Sequence, residues 1–572
     1  MLKLRRFLEG FKKYLFLGPF FKLLEAIFEL IVPMVMSKII DTGIGNHDKP
    51  YIMKMCGVII MLGVFGLIFA LTCQYFAAKC AFGFGTALRE ALYKHINKLS
   101  HSEIDRIGTS SLSTRLINDT TMVQQGVNMF IRLAVRVPFL VIGATVLAMS
   151  MNLKLSKIFL ISAPIILLVL YLVMSRTVPM YKTTQKKLDV VSRLTRENLE
   201  GVRVIRAFSR QEQEKEKFRQ ASDDLCENAI LVGKISTILN PATFMIMNLS
   251  IVTIIWFGGV KINTGSLTQG ELTAFIQYMT QILLALIVLA NLVTIFTKAQ
   301  ASATRINEIF ETESSIKGGE IKNIDESAEN AIEFKNATFK YNGSGDTTLS
   351  NISFNLEKGK TLGIIGGTGS GKSTLASLIM RFYDVNDGEV KLFGKNIKEY
   401  DLEALRQMIG DVPQKATLFS GTILENMRWA KQDATEEEVI KALKIAQAWE
   451  FVSKLPDTIN TKISQGGKNL SGGQKQRLTI ARALVGSPEI VILDDSMSAL
   501  DYATDYALRK AISENLQDTT VIMISQRTTS IKHADKIIVM DDGKIADTGT
   551  HDQLYNDCQI YREICEIQNK GA

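Results

Sequence analysis

Cysteine is scarce in this sequence, with 6 residues among 572. A small secreted protein held together by disulfides is therefore excluded. The composition of a disordered chain is missing as well, because 47% of the residues are hydrophobic and only 22% are charged. The formal net charge of +8 fits either nucleic-acid binding or the excess of Lys and Arg on the cytoplasmic side of membrane proteins. The position of the charges along the chain separates these two classes.

Charged residues are absent altogether from long stretches of the first half of the chain. A helix needs about 20 apolar residues to cross a bilayer, and about 17 suffice. Five uncharged stretches meet this requirement. A sixth, weaker span is expected near 15–40, where Lys22, Glu25, Glu29 and Lys38 interrupt an apolar stretch. We therefore predict six membrane spans. The five uncharged stretches are 55–78, 137–153, 158–175, 237–260 and 272–297.

Lysine and arginine concentrate in the N-terminal segment and in two long connections, 80–132 and 176–236. The other connections are short and carry few positive charges. Because positively charged loops stay in the cytoplasm, we expect a multi-pass protein of the cytoplasmic membrane with a cytoplasmic N-terminus. The helical periodicity of the long connections predicts that the spans continue as helices beyond the membrane.

A hydrophilic stretch separates this half from a region that alternates strand and helix patterns, as in an α/β domain. The predicted organisation is an α-helical transmembrane domain at 1–312, a linker at 313–330 and an α/β ATPase domain at 331–572. The ATPase domain is expected in the cytoplasm, on the same side of the membrane as the two long connections.

The α/β region contains a phosphate-binding loop in its required setting, after the strand TLGII and before an apolar helical run. Glycines allow successive backbone N–H groups to face the phosphates, and the helix N-terminus favours negative charge. Lys372 is expected to reach the β- and γ-phosphates, and the Ser373 hydroxyl to bind Mg²⁺. The loop consists of Gly366, Gly367, Thr368, Gly369, Ser370, Gly371, Lys372, Ser373 and Thr374.

Two further elements fit an enzyme that uses ATP and Mg²⁺. The apolar strand EIVILDD carries Asp494 at its end, where such ATPases place a second Mg²⁺ anchor. Between the loop and this strand lies the sequence LSGGQ, in which the candidate nucleotide contacts are Ser471, Gly472, Gly473 and Gln474.

With these motifs, the whole chain resembles a half-transporter of the ATP-binding-cassette (ABC) exporters, in which six spans are fused to one nucleotide-binding domain. The resemblance implies that Tyr341 stacks on adenine and that Gln414 approaches Mg²⁺ and faces the membrane domain. It also implies a dimer, in which Ser471, Gly472 and Gly473 bind the γ-phosphate of the ATP held by a second half-transporter. Membrane lipid is an expected partner, and nucleic acid is not.

Two residues depart from the family pattern. Asp495 stands where the family has the glutamate that polarises the attacking water, and Gln526 stands where it has a switch histidine. Aspartate is one methylene shorter, and glutamine cannot carry a proton as imidazole can. An intact LSGGQ beside this pair resembles the degenerate-site subunit of heterodimeric multidrug exporters of the LmrC–LmrD type, which binds ATP and hydrolyses it poorly.

The resemblance implies ATP-driven export of small amphipathic compounds as one subunit of a heterodimer. A lipid or peptide exporter, a drug sensor that transports nothing, and a homodimer stay open as alternatives. Glu25 and Glu29 share one helix face with Lys22. They either attract cationic substrates, or they pair with Lys22 or Lys38 or simply lie at the membrane interface, and we favour the second interpretation.

Overall fold

The computed structural model of the chain describes residues 2–343 and 345–570. The chain forms two compact units. One comprises Met1–Asn97 and Ser110–Glu311, and the other comprises Lys98–Thr109 and Thr312–Ala572. We call them the membrane unit and the ATPase unit, and each is described by itself.

The first 311 residues are almost entirely helical. A 3₁₀-helix at Leu2–Phe11 leads into the first α-helix, and π-helical turns lie at Ile39–Ile44 and Arg115–Asp119. The α-helices are α1 (Lys12–Lys38), α2 (Lys49–Ile96), α3 (His101–Ile107), α4 (Thr109–Thr114), α5 (Thr120–Leu133), α6 (Arg136–Met151), α7 (Lys157–Glu200), α8 (Val202–Ala207), α9 (Gln211–Thr237), α10 (Leu239–Asn263) and α11 (Gln269–Glu311).

Among the described residues, five helical stretches are long and apolar enough to cross a membrane. Each contains all or nearly all of one of the five uncharged runs predicted from the sequence, so these five predictions are confirmed. The sixth predicted span coincides with α1, whose Lys22, Glu25 and Glu29 keep it out of that class. The five stretches are Lys49–Ile96, Thr109–Met151, Lys157–Glu200, Gln211–Asn263 and Gln269–Glu311.

Helix α1 nevertheless belongs to the core of the membrane unit. Ala26 and Leu30, four residues apart, are buried against residues such as Leu140 and Tyr278. The buried Tyr278 hydroxyl donates a hydrogen bond to the Leu30 carbonyl at 2.9 Å. The same face of α1 carries the charged residues, so they point into the helical unit.

Three helices are much longer than a bilayer is thick. Helices α2, α7 and α11 contain 48, 44 and 43 residues, and at 1.5 Å per residue each exceeds about 60 Å. A hydrocarbon core is about 30 Å thick. The helical continuation predicted from the long connections is therefore present.

The ATPase unit contains two larger sheets and a small one. A four-stranded antiparallel sheet has the order β2-β1-β4-β5, and a six-stranded sheet has the order β12-β11-β3-β10-β9-β6. Strands β7 and β8 form a separate antiparallel pair. The strands are β1 (Asn330–Phe339), β2 (Leu349–Glu357), β3 (Thr361–Gly366), β4 (Asp387–Leu392), β5 (Lys395–Asn396), β6 (Ile409–Val412), β7 (Gly421–Thr422), β8 (Lys462–Ile463), β9 (Ile490–Asp494), β10 (Thr520–Ile524), β11 (Lys536–Asp541) and β12 (Lys544–Gly549).

Helices cover the larger sheet. They are α12 (Lys372–Ile379), α13 (Leu402–Gln407), α14 (Ile423–Met427), α15 (Glu436–Ile445), α16 (Trp449–Val452), α17 (Gly472–Leu484), α18 (Tyr502–Asn515), α19 (Thr528–Ile531), α20 (His551–Asp557) and α21 (Gln559–Lys570). Strands β11, β3, β10, β9 and β6 run parallel. Their carboxyl ends therefore lie at one edge, where ligands bind in sheets of this kind.

Two segments outside the predicted α/β range group with the ATPase unit. Helix α3 lies on it through the His101 ring, which stacks on Phe382 at 4.2 Å between centroids. Burial and the nearby Arg406 lower the pKa of His101. Within 313–330, the residues expected as a linker, Ile321 forms a parallel bridge with Tyr400.

Candidate nucleotide-binding site

A cavity of about 300 Å³ opens at the carboxyl edge of the parallel sheet. Three neighbouring strands, β3, β10 and β9, end at this cavity. Every residue predicted to act on the attacking water or on Mg²⁺ lines it, although these residues are spread over more than 150 positions of sequence. The lining residues are Thr348, Thr368, Gly369, Gly371, Lys372, Ser373, Thr374, Gln414, Asp494, Asp495, Ile524, Ser525 and Gln526.

The turn between β3 and α12 requires its glycines. Gly369 and Gly371 have φ angles of +85° and +96°, a left-handed conformation that costs other residues energy. A Cβ on Gly366 would lie 2.2 Å from the Met540 carbonyl oxygen. The loop therefore folds as the motif predicts, with its N–H groups close to the start of α12.

The Lys372 side chain is buried within this loop. Its Nζ donates hydrogen bonds to the carbonyl oxygens of Gly366 at 3.0 Å and Gly367 at 2.6 Å, and to the Ser370 hydroxyl at 3.3 Å. Burial lowers the pKa of Lys372, while Asp494 and Asp495 act in the opposite direction. The ammonium is thus held in place at the position from which the motif places it on the phosphates.

The predicted Mg²⁺ ligands Ser373, Gln414 and Asp494 meet in the cavity. Burial raises the pKa of Asp494, and a hydrogen bond from Ser373 opposes that rise. Among the described residues, no group of three or more His, Cys, Asp and Glu side chains is placed to hold a metal. One carboxylate and two neutral oxygen donors fit Mg²⁺, which keeps waters and takes further ligands from phosphate oxygens.

Asp495 is fixed by its backbone as well as by its neighbours. Its φ angle is +44°, a left-handed conformation that is uncommon for residues other than glycine. Its N–H donates to the Ile524 carbonyl at 2.8 Å, and its Oδ2 accepts a hydrogen bond from Gln414 at 3.3 Å. Asp495 therefore lines the cavity with its carboxylate in contact with Gln414.

The switch position, Gln526, is tied to the last described helix. The Gln568 side chain of α21 donates to the Gln526 carbonyl at 2.6 Å. Its Oε1 accepts from both the N–H and the hydroxyl of Thr528 at 2.9 Å. Sequence reasoning missed Gln568, because no motif links it to a residue 42 positions away.

The sequence analysis also missed Asp411, whose carboxyl group lies beside the site. Burial and the like charge of Asp494 raise the pKa of Asp411 to about 6, while Arg482 opposes this rise. Asp411 belongs to β6, which pairs with β9, the strand that ends in Asp494. The sequence of β6 contains no motif that marks Asp411 as a functional residue.

Tyr341 and the LSGGQ residues do not line the cavity. The Tyr341 hydroxyl lies 3.2 Å from the Thr374 hydroxyl, and its ring meets Phe339 and Tyr383 edge to face. Ser471 caps α17 and exchanges capping-box hydrogen bonds with Gln474. Ser471 and Gly472 are exposed, so the N-terminus of this helix faces solvent.

Three charged residues in the middle of α1, Lys22, Glu25 and Glu29, are paired. Lys22 donates to both carboxylate oxygens of Glu25 at 2.7 Å, which is the pairing that the sequence analysis favoured. Glu29 accepts from Arg136 of α6 at 2.7 Å, a partner that the sequence analysis did not name.

Comparison with known proteins identifies the family. The model of the ABC transporter transmembrane region matches residues 15–286, and the ABC transporter model matches residues 349–498. The chain belongs to the ABC transporter family. It combines the family's transmembrane and nucleotide-binding domains in one half-transporter, and its ATPase is coupled to transport. The transmembrane match includes α1, the helix of the sixth predicted span.

Several curated ABC transporters are similar to the chain over nearly its whole length. The ABC transporter ATP-binding protein YfiB of Bacillus subtilis is 37% identical, covering 99% of this chain and 98% of its own length. An uncharacterized ABC transporter ATP-binding protein of Mycobacterium tuberculosis is 36% identical, covering 100% and 98%. An ATP-dependent lipid A-core flippase of Haemophilus influenzae is 32% identical, covering 94% and 92%.

Proposed function

We propose that this ABC half-transporter is one subunit of a heterodimer that exports small amphipathic compounds across the cytoplasmic membrane. Its own ATP site binds nucleotide and hydrolyses it slowly. Its LSGGQ segment completes the faster site of a different subunit, which carries the usual glutamate and histidine. The N-terminus and the ATPase unit are cytoplasmic in this proposal, and α1 is the sixth span.

The combination of Asp495 and Gln526 carries the proposal. A general base typically accelerates a reaction by 10²–10⁴-fold, and both substitutions affect the activation of the attacking water. The shorter carboxylate is already in contact with Gln414, which supports the proposal that it polarises the attacking water poorly. Gln526 offers an amide where a proton acceptor is needed. Lys372, Ser373 and Asp494 line the same cavity, which supports nucleotide binding at this site.

The exposed LSGGQ segment supports the role in a partner's site. Helix α17 has 13 residues, and the N–H groups of its first turn have no partners within the helix. A helix N-terminus of this kind favours a phosphate. Ser471, Gly472, Gly473 and Gln474 would therefore contact the γ-phosphate of ATP bound to the other subunit, and Tyr341 would contact the adenine of this chain's own ATP.

Purification from the native membrane tests the heterodimer. A tag on this chain should recover a second, different half-transporter in equal amount, and vesicles containing both should export an amphipathic dye when ATP is added. Recovery of this chain alone, with full transport, would identify a homodimer. Drug-dependent ATPase activity without export would favour the sensor.

Lipid export is the second candidate, and it rests on the similarity to the lipid A-core flippase of H. influenzae. Vesicles that contain a fluorescent phospholipid separate the two, since a lipid exporter moves the label between leaflets when ATP is present. Peptide export predicts ATP-dependent uptake of labelled peptide in the same vesicles.

A further inference from the structure

A second cavity of the ATPase unit, of about 520 Å³, lies between α18 and β10. It shares no lining residue with the nucleotide cavity. Thr361, which begins β3, lies in its wall, whereas the phosphate loop follows the end of that strand. A cavity of this size can hold a small molecule, so the ATPase unit has room for a ligand besides the nucleotide.

Apolar residues of two elements line this second cavity. Ile512 and Leu516 are four residues apart on α18 and therefore share a face of that helix. Val521 and Met523 are two residues apart on β10, so they lie on the same face of the strand. Ile512, Val521 and Met523 are buried and belong to one hydrophobic cluster. The apolar body of a ligand would therefore contact both the helix and the strand.

Two polar groups of the lining residues have no partner. The Ser530 hydroxyl and the Arg509 Nε are buried, and neither has a hydrogen-bond partner within residues 2–343 and 345–570. Ser530 is only 5% exposed. Because buried polar groups are almost always hydrogen-bonded, these two groups indicate a ligand or an ordered water beside them.

Neighbouring residues fix the Arg509 side chain. Its Nη2 donates to the Asp505 carboxylate at 3.1 Å, and its Nη1 donates to the Thr529 carbonyl at 2.6 Å. Asp505 neutralises the guanidinium and is not one of the described residues that line the cavity. Arg509 is therefore held in place with its Nε–H still available.

The acidic residue in the cavity wall, Asp535, is already bonded. One of its oxygens accepts from the Lys360 ammonium at 3.3 Å, and the other accepts from the Thr361 N–H at 2.8 Å. Among the described lining residues it is the one carboxylate. The wall therefore offers hydrogen-bond donors to an occupant, and no free carboxylate to a cation.

Lys510 supplies the positive charge of the wall. Its side chain is exposed, and its Nζ lies 3.9 Å from the Glu514 carboxylate, a surface contact that contributes little stability. Since Asp505 already neutralises Arg509, Lys510 leaves about one positive charge for a ligand. One charge matches a single carboxylate better than a doubly charged phosphate.

We propose that this cavity is a second ligand site of the ATPase unit, for a small apolar molecule that carries one carboxylate. The carboxylate accepts hydrogen bonds from Ser530 and Arg509, and Lys510 balances its charge. The apolar body packs against Ile512 and Val521. The site does not depend on the proposed partner subunit or on the transported substrate.

An occupant would connect two segments that adjoin the nucleotide cavity. Helix α18 is the first helix after Asp495, and α19 is the first helix after Gln526. Arg509 belongs to α18 and Ser530 to α19, so a ligand that bonds both joins these two helices. It would therefore restrain the segments next to Asp495 and Gln526 without contacting the nucleotide.

Two probes that differ only in their head group test the ligand class. The purified transporter in phosphatidylcholine nanodiscs is titrated with 2-naphthoate and with 2-naphthamide, and binding is followed by probe fluorescence. The carboxylate should bind about tenfold more tightly, because charge-assisted hydrogen bonds are roughly twice as strong as neutral ones. A saturating non-hydrolysable ATP analogue should not displace it. Equal affinity for the two probes, or competitive displacement by the analogue, would overturn the proposal.

Ser530→Ala tests the hydrogen bond without breaking one in the fold. The hydroxyl has no partner among the described residues, so the Tm should not fall, while 2-naphthoate binding should weaken about tenfold through loss of a charge-assisted contact. Thr529→Ala is the matched control, because Thr529 is exposed and contacts Arg509 through its backbone carbonyl. It should change neither quantity. Unaltered 2-naphthoate affinity in Ser530→Ala would contradict the site.

Filling the cavity gives an independent test. Ser513 is an exposed lining residue of α18, and Ser513→Trp should weaken the binding of both probes more than tenfold by occupying their space. Asn515→Trp, a change at an exposed residue of the same helix, is the control and should leave both affinities unchanged. Full binding in Ser513→Trp would mean that the probes bind elsewhere in the transporter, and it would overturn the proposal.

Discussion

The ATPase unit and the membrane unit bring their charged residues together in different ways. In the ATPase unit, Lys372, Asp494 and Asp495 follow parallel strands whose ends meet at one edge, so the fold itself assembles them. In the membrane unit, Glu29 finds Arg136 across 107 positions, through packing between two helices. Motif spacing is therefore sufficient to locate the site in the ATPase unit, whereas the ion pair of the membrane unit becomes visible only once the helices are placed.

The two regions also differ in what their charges achieve. The carboxylates of the ATPase unit lie close together, and burial, with a smaller contribution from neighbouring carboxylates, raises the pKa values of Asp494 and Asp411. The carboxylates of α1 are neutralised by cations.

Restoring the family residues tests whether the ATPase site lacks only its water-activating groups. Asp495→Glu combined with Gln526→His should raise ATP turnover at this chain's own site by about 10²-fold, the lower end of general-base contributions. Turnover is measured in a complex whose partner site has been inactivated. Unchanged turnover would mean that some other feature limits hydrolysis, and that the cavity is less complete than its geometry indicates.

Removing the loop lysine tests the binding half of the same site. Lys372→Ala should weaken ATP binding at this site about tenfold to a hundredfold, since a charge-assisted contact contributes about 1.5–3 kcal/mol. Lys360→Ala is the control, because Lys360 is exposed and pairs with Asp535. The measurement is equilibrium binding of a fluorescent ATP analogue. An unaltered affinity would contradict the phosphate contact.

Gln568 tests whether packing between distant helices matters in the ATPase unit as it does in the membrane unit. In the restored variant, Gln568→Met should lower turnover about threefold to tenfold, because the three hydrogen bonds between Gln568 and the switch segment are lost. Gln559→Met, an exposed change on the same helix, is the control. If Gln568 acts by positioning residue 526, its substitution should have no further effect once residue 526 is alanine. An additive loss would show a general structural role.

The smallest expected effect concerns Asp411, whose substitution should change the stability of the ATPase unit. Its pKa of about 6 lies above the usual 3.8, so the folded state keeps the proton longer than the unfolded state. The contribution of Asp411 to the stability of the fold is therefore greatest below about pH 3.8, and it is lost progressively as the pH rises to about 6. Asp411→Asn removes this loss and should raise the Tm of the ATPase unit by about 2–4 °C at pH 7.5. The difference should be smaller at pH 4.5, and a gain independent of pH would contradict the raised pKa.

The sequence predicted those parts of the molecule that depend on local pattern. Uncharged runs identified five membrane-crossing helices, and strand-loop-helix spacing identified the phosphate loop and Asp494. The interpretation that it favoured for Glu25 and Glu29 included pairing with Lys22, which holds for Glu25, three residues away on the same helix. Arg136, Gln568 and Asp411 could not be assigned in this way, because their roles depend on elements that approach only after folding.

The central claim is the asymmetry between this chain's ATP site and that of its partner. Steady-state ATPase activity of two single variants of the complex tests it most directly. Asp495→Asn in this chain should leave much of the activity, because Asp495 contributes little to water activation. The corresponding Glu→Gln change in the partner should nearly abolish activity. A fall to background from Asp495→Asn alone would contradict the account and make Asp495 a working catalytic base.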